Sequence, residues 1–438
     1  MAYRRYVLTI VTAVYTLNFV DRGLIALVLQ PIKEDMHLSD TQLGFLTGIA
    51  FALFYSTLGL PIARWADRGD RATITAIAIA LWGLTVMSCL WVTSFAWLVC
   101  ARIAAGVGEA GCMPPTYSLL GDYFPASVQR ARAMTIYMLG GPVSALISFV
   151  LGGWLNERYG WRMTFFLLGA PALIVAAMVK MSITDPRVLL ERRLDSERRV
   201  PRLTDVVALM WKRRSLRHLS AAVVLLFTVS SGLAPWYGAV MIRGHGMGTA
   251  ELGVWFGLIF AGSGILGILC GGSIAAWLFA EDESAQLRLS AVTAAGLVPC
   301  LALFLFLSNK YEALAALIPF SLLFNFYLGP TFALLQRLVA DDMRATTLAL
   351  VMLSANLVGM GLGSQIVGIV SDLLLPIAKG ESLRYAMLLA SLAALGAAQQ
   401  FCYAARTIKQ DLLSSAGSNA LAPRVGLTMS LHGEGESS

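Results

Sequence analysis

Four charged residues stand inside runs of apolar residues: Asp21 and Arg22 in one run, Arg102 and Glu109 in another. A charge at the middle of a bilayer costs about 2.5–3.5 kcal/mol on insertion scales, so it is rare without a role. Asp21 falls about fifteen residues into its run, roughly 22 Å along a helix and near or just past the midpoint. Arg22 follows directly, but neighbouring helical residues point about 100° apart. The two therefore do not pair face to face, and at least one reaches another helix or a wet cavity. Arg102 and Glu109 are seven residues apart, which puts them on one helical face. Gly106 and Gly108, on the stretch between them, permit close helix approach.

The residue types suggest a division of labour. Burial disfavours an ionised carboxylate and a neighbouring guanidinium favours it. A carboxylate balanced between the two can load and release a proton, which makes Asp21 and Glu109 the candidate proton-coupling pair. Arginine keeps its proton, so Arg22 and Arg102 are candidates for an anion receptor or a gate latch. Asn18, one turn before Asp21, is a candidate substrate ligand or an interhelical hydrogen-bond partner. Buried ion pairs can also do no more than lock helices together.

The elements that carry these residues follow from composition. The chain has 438 residues, 57% hydrophobic and 13% charged, against roughly 25% charged in a soluble domain. Its apolar residues gather into runs of about 20 or more, enough to cross a bilayer. Twelve spans are predicted, at 6–31, 42–64, 72–93, 95–120, 131–155, 161–182, 216–241, 250–279, 288–308, 312–339, 345–374 and 383–406. Backbone groups in lipid must bond internally, so each is read as a helix, and the fold class is an all-α membrane protein. Pro114 and Pro115 predict a kink or break in the fourth span. The first span is too long for a signal-peptide core, lacks a cleavage site and carries charge, so it is expected to stay.

Connections alternate in character. The odd ones are short and poor in Lys and Arg, whereas the even ones are basic, with Arg64, Arg68 and Arg71, then Arg130 and Arg132, then the long stretch 183–215. The positive-inside rule puts these and both termini in the cytoplasm. The long connection divides the chain into a six-helix bundle over 1–182, a basic linker over 183–215, a second bundle over 216–406 and a polar tail over 407–438 expected to be disordered. Weak echoes half a chain apart (Asp122…Arg130 with Asp341…Arg344, Gly152-Gly153 with Gly368…Asp372, Asp67 with Asp282) suggest two parallel repeats.

The second half holds few buried charges. Its candidate substrate contacts are Trp236, Tyr237, Asn325 and Tyr327, with Asn356 and Gln365 as further polar groups and Pro235 and Gly329-Pro330 as helix interruptions. A cavity between the halves would be charged on one wall and aromatic on the other, which suits an amphipathic organic anion. The even connections supply a candidate gating set: Asp67, Arg68, Arg71, Asp122, Arg130, Arg132 and Arg344. Asp67 is placed to cap a neighbouring helix or to pair with arginines across the loop.

Other classes are disfavoured. The net charge of +7 sits in topology-setting loops, so nucleic acid is not an expected partner. The six cysteines all fall in apolar runs without metal-type spacing, and the histidines lack it too, so no metal and no cofactor are expected. No hydrolase, zinc-peptidase, phosphate-loop or dinucleotide motif is present, so the chain is not read as an enzyme or an ATP-driven pump.

The loop Trp65–Arg71, the helix Arg102…Gly106-x-Gly108-Glu109, Gly140-Gly-Pro142…Gly152-Gly153 and Gly160-Trp161-Arg162 together resemble the major facilitator superfamily, over nearly all of 6–406. Asn18-Phe-Val-Asp-Arg22, Leu38-Ser-Asp-Thr-Gln-Leu-Gly44, Gly106-x-Gly108-Glu109-Ala110 and Asp122-Tyr-Phe-Pro125 look like its Spinster family. The resemblance implies two six-helix bundles and a monomeric, alternating-access secondary transporter of the inner membrane. It further implies that Asp21, Arg22, Arg102 and Glu109 line a central cavity for proton sensing and substrate binding. The expected partners are protons, the bilayer and a lipid-like organic anion. Alternatives are a symporter of small organic or sugar acids and a non-transporting receptor on the same fold.

Overall fold

The computed structural model describes residues 2–189, 203–279, 282–340 and 343–420, all of them in helices and short connections. Ten stretches are long and apolar enough to cross a membrane. Two of these, Ser127–Ser182 with 56 residues and Arg344–Ser414 with 71, exceed a single crossing, which needs about 20. The first turns back at Gly160, whose φ of 76° lies where only glycine is comfortable. The second turns at Lys379–Glu381. Twelve spans result among the described residues, in agreement with the hydropathy pattern.

Local chemistry sets where spans start and break. Ser39 and Gln42 form a reciprocal capping box at the second span, Asp40–Thr47 continued by Ile49–Arg68. Ser94 caps the fourth span and Asn309 the tenth, each accepting a backbone N–H. The fourth span breaks between Phe95–Ala110 and Met113–Tyr123, with a proline in the first turn of the second piece. The tenth breaks at Tyr327, between Lys310–Phe326 and Leu328–Arg337. Hydropathy did not anticipate the wide π-type turns Ile147–Leu151, Thr228–Gly232 and Ala355–Leu362 in the fifth, seventh and eleventh spans.

The two halves repeat one arrangement. The third span (Arg71–Ser88) lies along the sixth, and the ninth (Glu283–Phe306) along the twelfth, Ser382–Ser391 with Ala393–Ala420. The expected echo of Asp67 and Asp282 needs correction. Asp282 caps the ninth span, but its equivalent at the head of the third is Asp70, which accepts from the amides of Ala72 and Thr73. A cap must directly precede the first turn, and Asp67 is still inside the preceding helix, its side chain outside the described residues.

Two boundary expectations also change. The tail was expected to be disordered from 407, yet the last helix runs to Ala420. Ile408 is fully buried, and Asp411 accepts from the amide of Ser215 at 2.8 Å, so this extension is packed under the seventh span. Residues 421–438 lie outside the described residues. The linker 183–215 contains the helices Pro186–Leu189 and Leu203–Lys212, while 190–202 lie outside the described residues.

The bonds that join the halves cluster on the face away from the termini. Glycine makes the approach possible. A Cβ on Gly44 of the second span would sit 2.7 Å from the Ser364 carbonyl oxygen of the eleventh, and one on Gly257 of the eighth 2.6 Å from Val150 of the fifth. The second and eleventh spans thus close one seam and the fifth and eighth the other. The described contacts between the halves fall mainly on this side of the molecule.

Candidate functional site

The four intramembrane charges meet crosswise. The first span, Ala2–Met36, and the fourth stand side by side, and Arg102 donates to Asp21 while Arg22 donates to Glu109. Arg22 sends both Nε and Nη2 to the same oxygen, Oε2, at 2.9 and 2.8 Å. Asp21 and Arg22 point apart on the first span, and each finds a partner on the fourth. Asp21, Arg102 and Glu109 are buried, whereas the Arg22 side chain is 25% exposed. Arg22 is thus the member of the quartet that reaches outward.

Aromatic rings surround this arginine. Its guanidinium lies 4.8 Å from the Phe19 ring, 5.1 Å from Phe51 and 4.8 Å from Tyr55. Phe51 also lies 5.1 Å from the Arg102 guanidinium, so one ring contacts both cations. Tyr15, Tyr117 and Tyr137 continue the cluster, with Thr116 bonded to Tyr137 at 2.8 Å. Rings over a desolvated guanidinium are each worth about 0.5–2 kcal/mol and keep a flat, partly apolar surface around the charge. None of these rings was singled out from the sequence, because single aromatics in apolar runs look like packing.

Unengaged polar atoms sit beside the pairs. Glu109 Oε1 and Arg102 Nε are buried without a hydrogen-bond partner among the described residues. Asn18 is fully buried beside the Cys112 thiol, and neither its nitrogen nor its oxygen makes a hydrogen bond of ordinary geometry. Such atoms are costly, and here they gather at one place.

The aromatic groups expected on the second-half wall lie elsewhere. Trp236 is fully buried and donates to Ser364 Oγ at 3.1 Å. Tyr237 is packed among Phe260, Phe304 and Phe320. Tyr327 is buried against Phe324 and Phe401. Asn325 and Asn356 each donate back to their own helix, and Gln365 donates to the Thr41 carbonyl on the closed seam. In this conformation Trp236, Tyr237 and Tyr327 form core, and the aromatic surface stands in the first half beside the charges.

The gating candidates bond mainly within the first half. Arg71 is fully buried, donating from Nε to Asp185 at 2.8 Å and from Nη1 to Ser118 at 2.8 Å, with Asp122 at 2.7 Å. Arg187 joins Asp122 at 3.3 Å. Arg130 donates to the carbonyls of Phe124 and Pro125, Arg132 is exposed and Arg344 donates to the Gln336 carbonyl. Arg68 is exposed at the end of the second span. The cluster ties the third and fourth spans to the start of the linker. Asp185, its central acceptor, lies in the linker and was not foreseen.

Burial pushes the Asp185 carboxyl up, but hydrogen bonds from Arg71 and the amides of Arg187 and Arg71 outweigh this and hold it below its ordinary value of 3.8. A depressed carboxylate contributes stability that is complete above its unfolded value and is lost as pH falls through the folded one. Asp185→Asn should therefore be less stable than wild type at neutral pH, with a difference that shrinks in acid. Thermal unfolding from about pH 7 down to about pH 3 checks this, and a difference constant across that range would contradict it.

Residues 11–364 match the sequence profile of the Major Facilitator Superfamily. An MFS-type efflux pump of Mycolicibacterium smegmatis is 29% identical over 413 residues, 93% of this chain and 94% of that one. Protein spinster homolog 1 of Xenopus tropicalis is 26% identical over 94% of this chain and 82% of its own. A crystal structure of a bacterial homologue of the human lysosomal transporter Spinster, inward-facing and unoccupied, superposes with a TM-score of 0.82 at 26% identity, covering 93% of this chain and 98% of that one.

Proposed function

The chain belongs to the major facilitator superfamily, a multi-pass membrane transporter of Spinster-like type, and on that premise we propose that it carries an amphipathic, lipid-like organic anion in exchange with or alongside protons. The observation that carries the reading is Arg22, partly exposed, ringed by Phe19, Phe51 and Tyr55, and backed by Glu109. A guanidinium framed by rings takes an anionic headgroup together with adjoining apolar surface. Glu109 competes with that headgroup for Arg22. A proton on the unengaged Oε1 neutralises Glu109 and frees Arg22 for the substrate. Loss of the proton restores the Arg22–Glu109 pair and expels it. Asp21 and Arg102 hold the neighbouring helix faces in register and supply a second buried carboxylate to the site.

Alternating access is the proposed mode. The face away from the termini is closed by polar contacts and glycine crossings, which supports entry to Arg22 from the face that bears the termini. The basic even connections support placing that face and both termini in the cytoplasm, with the chain in the inner membrane as a monomer. Asp122, Arg71 and their neighbours are proposed as the rigid base of the first half, with Arg68, Arg130, Arg132 and Arg344 engaging when that face closes. Trp236, Tyr237, Asn325 and Tyr327 would meet substrate only after the second half repacks.

Reconstituted protein under an imposed pH gradient tests the coupling. Asp21→Asn or Glu109→Gln should abolish pH-dependent flux, and normal flux with unchanged pH dependence in both would sink it. A panel in bilayer discs separates the substrate classes, since binding raises apparent stability with ligand over Kd. Stabilisation by lysolipids favours the amphipathic anion. Stabilisation by sugar acids alone favours a symporter of small acids, and binding without flux favours a receptor.

A further inference from the structure

The linker helix Leu203–Lys212 carries more apolar surface than its packing uses. At 100° per residue, Val206, Leu209 and Met210 form one sector, with Val206 buried and the other two against the core. That sector docks the helix on the heads of the seventh and eleventh spans, Arg214–Phe227 and Arg344–Ser354. The next sector holds Leu203, Val207 and Trp211, exposed by 48%, 51% and 73%. Thr204, Asp205, Ala208 and Lys212 make up the third, a mainly polar sector. An apolar stripe beside the docked face and a polar stripe beyond it is the pattern of a helix lying in a membrane interface.

Position and charge agree. The helix ends at Lys212 and the seventh span begins at Arg214, so the helix sits at the level where that span enters the bilayer. Tryptophan is favoured at that depth. Lys212, Arg214 and Arg217 are exposed at the end of the helix, with the Arg217 guanidinium 5.7 Å from the Trp211 ring. Arg213 is turned inward to the Leu338 carbonyl. Asp205, the acid on this helix, lies in the polar sector, away from the cations at its end. Three exposed cations near a tryptophan complement anionic headgroups.

We propose that the Leu203–Lys212 helix is an anionic-lipid dock, with Leu203, Val207 and Trp211 set among the acyl chains and Lys212, Arg214 and Arg217 binding lipid phosphates. The proposal is independent of what the central site carries.

The full-length protein in bilayer discs tests it, with Trp211 emission isolated by subtracting the Trp211→Phe variant. Phosphatidylglycerol brominated near its glycerol end should quench that emission at roughly tenfold lower mole fraction than brominated phosphatidylcholine. The triple variant K212Q/R214Q/R217Q should lose this preference and keep its quenching by phosphatidylcholine. It should also retain fewer phosphatidylglycerol molecules in native mass spectrometry. Emission quenched by neither lipid would overturn the proposal, leaving the face to water or to a protein. Equal quenching by both would overturn the anionic preference.

Discussion

Replacing Arg102 with methionine is expected to lower the unfolding free energy by about 3–5 kcal/mol, the cost of stranding a buried charge. Asp21 is 1% exposed and its guanidinium partner 5%, so little water is available to solvate what remains. The pair itself need not be stabilising. Desolvating two ions costs about as much as their attraction returns, so a neutral pair of similar shape can be equally stable. The double variant Asp21→Asn/Arg102→Met should therefore recover most of the loss in stability while losing pH-dependent flux. Chemical unfolding in bilayer discs measures both. A single variant costing under about 1 kcal/mol would mean that water or another cation reaches Asp21, contrary to its burial.

Arg243→Ala is expected to move the transporter out of the observed conformation. Arg243 spans the halves, donating from Nη1 and Nη2 to the two Asp40 oxygens at 2.8 and 2.7 Å and from Nε to Gln30 at 2.5 Å. Asp40 also accepts from Lys33 and, across the seam, from Ser371, each at 2.6 Å. Asp372 completes the junction by accepting from the amides of Asp40 and Thr41. Each bond to a charged group is worth about 1.5–3 kcal/mol, so losing the net worth of even one of the two Asp40 contacts, water replacing the other, should shift the balance of open and closed forms roughly 10- to 150-fold. Spin labels at His37 and Gly380 would report a longer distance population on that face in the variant. An unchanged distance distribution would show that the glycine seams, not the arginine, hold the face shut.

These two predictions rest on unequal foundations in the sequence. Asp21 and Arg102 stand out because a charge within an apolar run is visible to any reader of the chain. Arg243, Asp40 and Asp185 do not stand out. They flank the apolar runs, where charged residues are ordinary, and only their distant partners make them unusual. The same holds for Phe19, Phe51 and Tyr55, which look like packing until Arg22 is found among them. Trp236 and Tyr237 show the reverse. Their rings suggested a binding wall, and in this conformation the seventh span turns them toward the eleventh span and an aromatic core.

By itself the sequence determined what depends on neighbours along the chain. Hydropathy fixes the spans because each helix satisfies its own backbone bonds. Serine, asparagine and proline placed the starts and the break in the fourth span for equally local reasons. Tertiary structure alone decided the rotation of each helix about its axis and which residues meet across the bundle. An apolar helix in an apolar solvent carries no strong polar stripe to declare its inward face, so that choice falls to close packing at glycines and to the few paired charges. The crosswise joining of Asp21 with Arg102 and Arg22 with Glu109, which leaves Arg22 alone reaching outward, is a consequence of that rotation.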